Sequence, residues 1–174
     1  MARYPKLNAA AHYIISRCQP ADLGATKLNK ILWFADVEYF ERYGKSITGD
    51  EYVKRQFGPV PKHAPMATRE LEESGLIVSR EVDYFGKPKK EFWSLQEADI
   101  TGFDPNAIAI IDKMIDWVCI DHTATSISDK THNILWESAE MGEVIPLGAA
   151  LAYRSAEITE EDIAWAYREL EAAE

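Results

Sequence analysis

The sequence predicts an α+β fold that is mostly helical, a helical bundle carrying a winged-helix-like β-hairpin. Three observations carry that prediction. Residues 27–44 repeat apolar side chains at helical spacing and end in glycine, two β-prone runs flank Phe85-Gly86-Lys87-Pro88, and a capped apolar stripe runs from Asp104 to about Ile120. At 174 residues, 47% of them hydrophobic with five Trp and eight Tyr, the chain has the apolar side chains to fill one core, and roughly two-thirds of its unfolded surface is buried at this length. One domain over residues 1–174 is expected.

The elements follow in chain order. Asn8 to Cys18 reads as a short amphipathic helix with Ala9, Tyr13, Ile14 and Cys18 on its apolar side, stopped by Gln19-Pro20. Leu23-Gly24-Ala25-Thr26 supplies a turn and a capping threonine. The next helix carries Leu28, Ile31, Leu32, Ala35, Tyr39 and Tyr43 on one stripe and ends at Gly44. Tyr52 to Phe57 is short and β-prone, and Gly58-Pro59 closes it, so it reads as a strand or extended arm entering a turn. A helix is expected from about Pro61 to Ser74. Leu76 to Tyr84 and Lys89 to Leu95 then form the hairpin, which completes a winged-helix order.

Downstream, Asp104-Pro105 caps a helix whose stripe is Ile108, Ile111, Ile115 and Val118. Thr123 to Thr131 holds one further short helix, and Asn133 to Pro146 reads as irregular. Thr159-Glu-Glu-Asp162 caps a last helix through Glu171, with Ile163, Ala166, Tyr167 and Leu170 facing inward.

Charge is distributed unevenly. The net charge is −10, yet residues 97–174 carry four Lys and Arg against seventeen Asp and Glu, while the first 96 residues carry fifteen against twelve. The acidic stretch repels nucleic acid and suits a basic partner. Met1-Ala-Arg-Tyr-Pro-Lys lacks a signal-peptide core, and no apolar run approaches the ~20 residues that span a bilayer, so a cytoplasmic protein is expected. Cys18 and Cys119 have no CxxC spacing, and buried free thiols are expected rather than a zinc site or disulfide scaffold.

Motifs that carry chemistry are missing. There is no Gly-x-Ser-x-Gly elbow, Walker A loop, Gly-x-Gly-x-x-Gly run or HExxH. Asp121-His122, Asp129 and His132-Asn133, with Glu137 following, bear metal-ligating types without a recognised spacing, so polar surface residues are expected there. No catalytic site, metal or cofactor is expected, and the chain reads as a non-enzyme.

Lys27-Leu-Asn-Lys-Ile-Leu-Trp-Phe-Ala-Asp36 resembles the opening Lys-Leu-x-Lys-Leu-Leu-Tyr-Phe-Ala helix of the Panacea domain, the SocA-like antitoxin domain of bacterial and phage toxin–antitoxin pairs. Tyr43-Gly44-Lys45 and Phe57-Gly58-Pro59-Val60 are similar to its next two landmarks, a helix-ending Tyr-Gly and a Tyr-Gly-Pro-Val turn. Trp136 through Gly142-Glu143-Val144-Ile145-Pro146 resembles its late Gly-Glu-x-Ile-Pro element. The resemblance spans about residues 6–150. It implies an antitoxin that neutralises a co-encoded protein toxin by direct contact, or an adaptor that delivers the toxin to a protease.

The candidate partner-binding residues are Lys54, Arg55, Phe57, Gly58, Pro59 and Val60, at a rigid turn, together with Trp33 and Phe40, which project off the main stripe. A second element packed over Trp33 and Phe40 is the alternative for those two. A winged-helix-like DNA-binding regulator is the other functional reading, resting on Gly86-Lys87-Pro88-Lys89-Lys90 with Lys54, Arg55, Lys62 and Arg69. Glu70, Glu72 and Glu73 oppose it, so a nucleic-acid partner is not expected.

Overall fold

The computed structural model describes residues 2–155, with side chains through residue 151. The expected helix from Thr159 to Glu171 lies outside the described residues. Those described form seven helices and two antiparallel hairpins, in the order α1 Pro5–Arg17, α2 Pro20–Tyr43, β1 Tyr52–Arg55, β2 Gly58–Pro61, α3 Ala64–Glu73, β3 Ile77–Tyr84, β4 Lys87–Ser94, α4 Pro105–Asp121, α5 Ala124–Asp129, α6 Ile134–Ser138 and α7 Leu147–Ser155. The class is α+β and mostly helical. Among the described residues no helix is long and apolar enough to cross a membrane.

Helix α2 is the axis of the fold, because it buries side chains on two sides. One side carries Leu28, Ile31, Leu32, Ala35 and Tyr39 into the main core, which α1, α3, the β3–β4 hairpin, α4 and Ile127 of α5 complete. The other side places Trp33 and Val37 against Tyr52, Ile145 and Ala150 in a smaller core. Its C-terminal cap is Gly44 in the left-handed region, as the sequence predicts, while Tyr43 ends outside the core at 42% exposure. Gly24 breaks the helical φ/ψ near the start of α2, where the turn was expected.

The structure shifts several boundaries. Helix α1 begins at Pro5, a residue suited to a first helical position, and buries Leu7, Ala10, Ala11, Ile14 and Ile15 rather than a face centred on Ala9 and Tyr13. Helix α3 starts at Ala64, because Val60 and Pro61 pair with Val53 and Tyr52 as part of β2. The stretch 133–146 is not wholly irregular. Asn133 Oδ1 accepts from Leu135 N at 3.1 Å and Trp136 N at 3.2 Å, capping α6. Helix α4 follows its expected pattern, with Asp104 Oδ1 accepting from Asn106 N at 2.9 Å and Ala107 N at 3.1 Å. Ile111, Ile115 and Val118 of the expected stripe are buried and Ile108 is half-buried.

Strands β3 and β4 pair in register from Ile77 with Ser94 to Tyr84 with Lys87, around a two-residue Phe85-Gly86 turn. Ile77 and Phe92 bury the base of this hairpin in the main core, whereas its tip projects.

Candidate partner-binding site at the first hairpin

The β1–β2 hairpin is short, four residues a side, with Arg55 opposite Gly58 and the turn at Gln56-Phe57. An isolated two-stranded ribbon of this size is marginal in water, so its position must come from the rest of the molecule. Three devices supply it, the first two buried.

The first is Asp36, 0% exposed. Its Oδ1 accepts from Ile47 N at 2.6 Å and Thr48 N at 3.1 Å, and its Oδ2 accepts from the Thr48 hydroxyl and from Tyr52 Oη at 2.8 Å. Burial pushes this carboxyl above the ordinary aspartate range, and the hydrogen bonds from Thr48, Tyr52 and Ile47 oppose the rise. The carboxylate thus ties the connection after α2, and the start of β1, to the helix.

The second is Lys30, 1% exposed. Its ammonium donates to the Phe57 carbonyl and, at 2.8 Å, to Thr131 Oγ1, which donates onward to Ser128 O at 2.8 Å. Burial lowers its pKa to about 7. The hairpin turn approaches so closely that a Cβ on Gly58, whose φ is +111°, would overlap both the Lys30 ammonium and the Thr131 hydroxyl. Glycine is therefore required at this position twice over, by conformation and by space.

The third is a two-sided backbone ladder. The side of β1 away from β2 pairs with the segment leading into α7: Lys54 N donates to Glu143 O at 2.8 Å, Gly142 N to Lys54 O at 3.0 Å and Ile145 N to Tyr52 O at 2.7 Å. Trp136 of α6 donates Nε1 to Arg55 O at 3.0 Å and stacks on His132, with ring centroids 3.9 Å apart. Burial, and then the Lys30 charge, lower the His132 pKa.

The predicted site residues separate on this frame. Arg55 and Phe57 are exposed, Phe57 by 55%. Lys54 is half-buried and engaged inward, with Nζ 3.0 Å from Ala139 O and 4.2 Å above the Trp136 ring. Gly58 and Pro59 are buried and Val60 half-buried, so the Gly-Pro-Val element is a strand packed on the body rather than an exposed turn. Trp33 is a correction. It is 5% exposed and meets Tyr52 edge to face at 5.0 Å, because β1 and α7 cover this side of α2. Phe40 is half-buried, and its ring lies 4.0 Å from a Cβ placed on Gly148 of α7.

Two exposed apolar residues join the site unforeseen. Met141 is 62% and Val144 40% exposed, on the segment that pairs with β1. Their signal in the sequence was the late Gly-Glu-x-Ile-Pro element, which marks the pairing and not the side chains. The residues considered for a metal are dispersed: His122 Nδ1 lies 3.0 Å from Ser126 Oγ, while His132 stacks on Trp136. Among the described residues no three His, Cys, Asp or Glu side chains converge as metal ligands.

Fold and site together define a helical scaffold that clamps a short hairpin and presents its tip and neighbouring strand. The family model for the antitoxin SocA-like, Panacea domain matches residues 28–137, more than half of the chain, and the chain belongs to this family. The matched stretch contains Lys30, Asp36, Gly58 and Trp136 and ends before Gly142 to Pro146. No curated protein and no solved structure matches the chain.

Proposed function

We propose that the protein is a stoichiometric antitoxin, which neutralises a toxin encoded beside it by binding through the outer face of the β1–β2 hairpin. Family membership supports the antitoxin reading. The observation that supports this surface is the exposure of Arg55 and Phe57 on a hairpin held from beneath by Lys30 and Asp36, and of Met141 and Val144 on the segment paired with β1. An apolar group on an already ordered backbone binds with little further loss of conformational freedom. The wing is less suited to nucleic acid than its composition implies. Lys89 donates to Ala21 O and pairs with Glu91 at 3.1 Å, and Lys90 lies 3.7 Å from Glu72, so two of its three lysines answer groups of the protein itself.

The test is co-expression with the product of the adjacent reading frame, scored for growth rescue and for recovery of a complex. Wild type should rescue and co-purify. Phe57→Ala and Val144→Glu should melt within about 0.5 kcal/mol of wild type, as exposed substitutions do, and lose at least about tenfold in affinity, which corresponds to about 1.4 kcal/mol. Failure of wild type to rescue or co-purify overturns the antitoxin reading. Undiminished binding by both variants moves the interface elsewhere.

A further inference from the structure

Cys18 and Cys119 stand 101 residues apart in the chain, yet their Sγ atoms lie 3.9 Å apart. Cys18 caps the C-terminus of α1 with extended backbone, φ −104° and ψ 148°, and Cys119 occupies the last turn of α4. Both thiols are free and half-buried, so they are not sealed in the core. Lys27 reaches the same spot, donating Nζ to Cys119 O at 3.3 Å. Neither the hairpin nor its three anchors use these residues.

We propose that Cys18 and Cys119 form an oxidative modification site, a dithiol that takes a hydroperoxide as substrate and closes to an intramolecular disulfide joining the ends of α1 and α4. In the first step the Cys119 thiolate attacks the outer peroxide oxygen. The O–O bond breaks, the alcohol or water leaves after gaining a proton, and Cys119 becomes a sulfenic acid. In the second step Cys18 Sγ attacks the Cys119 sulfur. The S–S bond forms, the S–O bond breaks, and hydroxide leaves as water with the proton from Cys18. Two electrons pass from the thiol pair to one peroxide, so the balance closes without a further reductant.

The electrostatic surroundings order the roles. The contact between the two thiols, with the Lys27 charge, lowers the Cys119 pKa, while the same contact and burial push Cys18 up. The thiolate is the nucleophile, so Cys119 reacts first. Closure to a bond of about 2.05 Å brings the sulfurs nearer by about 1.9 Å. One of the two lies on a capping residue outside helical geometry, where the backbone yields more readily than within a helix. The cross-link closes a loop of about 100 residues, so the oxidised protein should unfold at higher temperature.

Purified, reduced full-length protein is treated with hydrogen peroxide and followed by intact mass, peptide mapping and melting. The expected product is a monomer lighter by two hydrogens, with one Cys18–Cys119 linked peptide and a melting temperature raised by about 5 °C or more, all reversed by dithiothreitol. Cys18→Ser should trap a sulfenic acid on Cys119 that reacts with dimedone, and Cys119→Ser should consume peroxide more slowly. Addition of oxygen to both cysteines without linkage, cross-linking between molecules, or no reaction under conditions that oxidise the urea-unfolded chain would each overturn the assignment. Because the readouts are chemical, they stand or fall independently of toxin binding.

Discussion

The two hairpins are made of the same local parts and are held in opposite ways. In β3–β4 the turn makes itself: Phe85 and Gly86 both have positive φ, 52° and 76°, which suits the twist of an antiparallel ribbon. In β1–β2 Phe57 has no such conformation, and the turn carbonyl is gripped from below by Lys30. One hairpin carries its turn instructions in Phe85 and Gly86 themselves; the other takes them from α2 and from residue 131. The freestanding tip and the clamped tip therefore respond differently to the same change.

Glycine-to-alanine substitution gives the largest expected contrast. Gly86→Ala meets nothing within 4 Å and pays only for a left-handed backbone, about 1 kcal/mol. Gly58→Ala adds to that an overlap with the Lys30 ammonium and Thr131 hydroxyl, and should lose about 3 kcal/mol or more as the turn lifts and strands a buried charge. Urea melts of the two variants compare them directly. Equal losses would mean that the clamp is slack.

The clamp is also titratable. Lys30 is depressed to about 7 in the folded protein from 10.5. Between those values the unfolded chain binds the proton and the folded chain does not, so stability rises with pH across the window, by up to about 1.4 kcal/mol per pH unit, and is lost as pH falls through 7. Cys119, also depressed, contributes with the same sign, so the measurement is a difference. Wild type should show a steeper rise than Lys30→Met between pH 7 and 10. Parallel profiles would show that the buried amine keeps its proton throughout.

This contrast explains what was legible in the sequence. The β3–β4 hairpin, the α2 stripe, the Gly44 cap and the Asp104 cap were readable because their causes are local. The role of β1–β2 was not. Lys30, Asp36, Gly58 and Trp136 stand out as family landmarks, but what they share is a set of contacts up to about a hundred residues apart in the chain. A motif match marks such residues without saying whether they touch a partner or each other. Trp33 shows the resulting error: an aromatic off the main stripe becomes core once β1 and α7 cover it. Phe57 and Arg55 differ in that their side chains are exposed, Phe57 as the first residue of the Phe-Gly-Pro-Val motif and Arg55 just before it.

Lysines sharpen the comparison at a smaller scale. Lys54 sits over the Trp136 ring and donates to Ala139 O and Glu137 O, whereas Lys87 is exposed near the free tip. Lys54→Ala should destabilise by about 1 kcal/mol, from a cation–π contact and hydrogen bonds to carbonyls. Lys87→Ala should stay within about 0.5 kcal/mol of wild type. A silent Lys54→Ala would leave its side chain free for a partner after all.

The smallest expected effect is a gain. Phe85 is 90% exposed and touches Tyr84 edge to face at 4.8 Å, yet it holds a positive φ that bulky side chains rarely adopt. Asparagine tolerates that region and precedes glycine in the favoured two-residue turn, so Phe85→Asn should raise stability by about 0.5 kcal/mol. The same change at Phe57 relieves no strain, because the backbone there is ordinary and the Lys30 bond is to its carbonyl, which asparagine retains. Phe57→Asn should therefore leave the melting temperature unchanged. A stability gain at residue 85 and none at 57, measured in the same buffer by calorimetry, would show that the first turn is shaped by its own torsions and the second by a side chain beneath it. A loss at 85 would instead mean that the Tyr84–Phe85 contact stabilises the tip by more than its backbone strain costs, and the two hairpins would differ less than their geometry indicates.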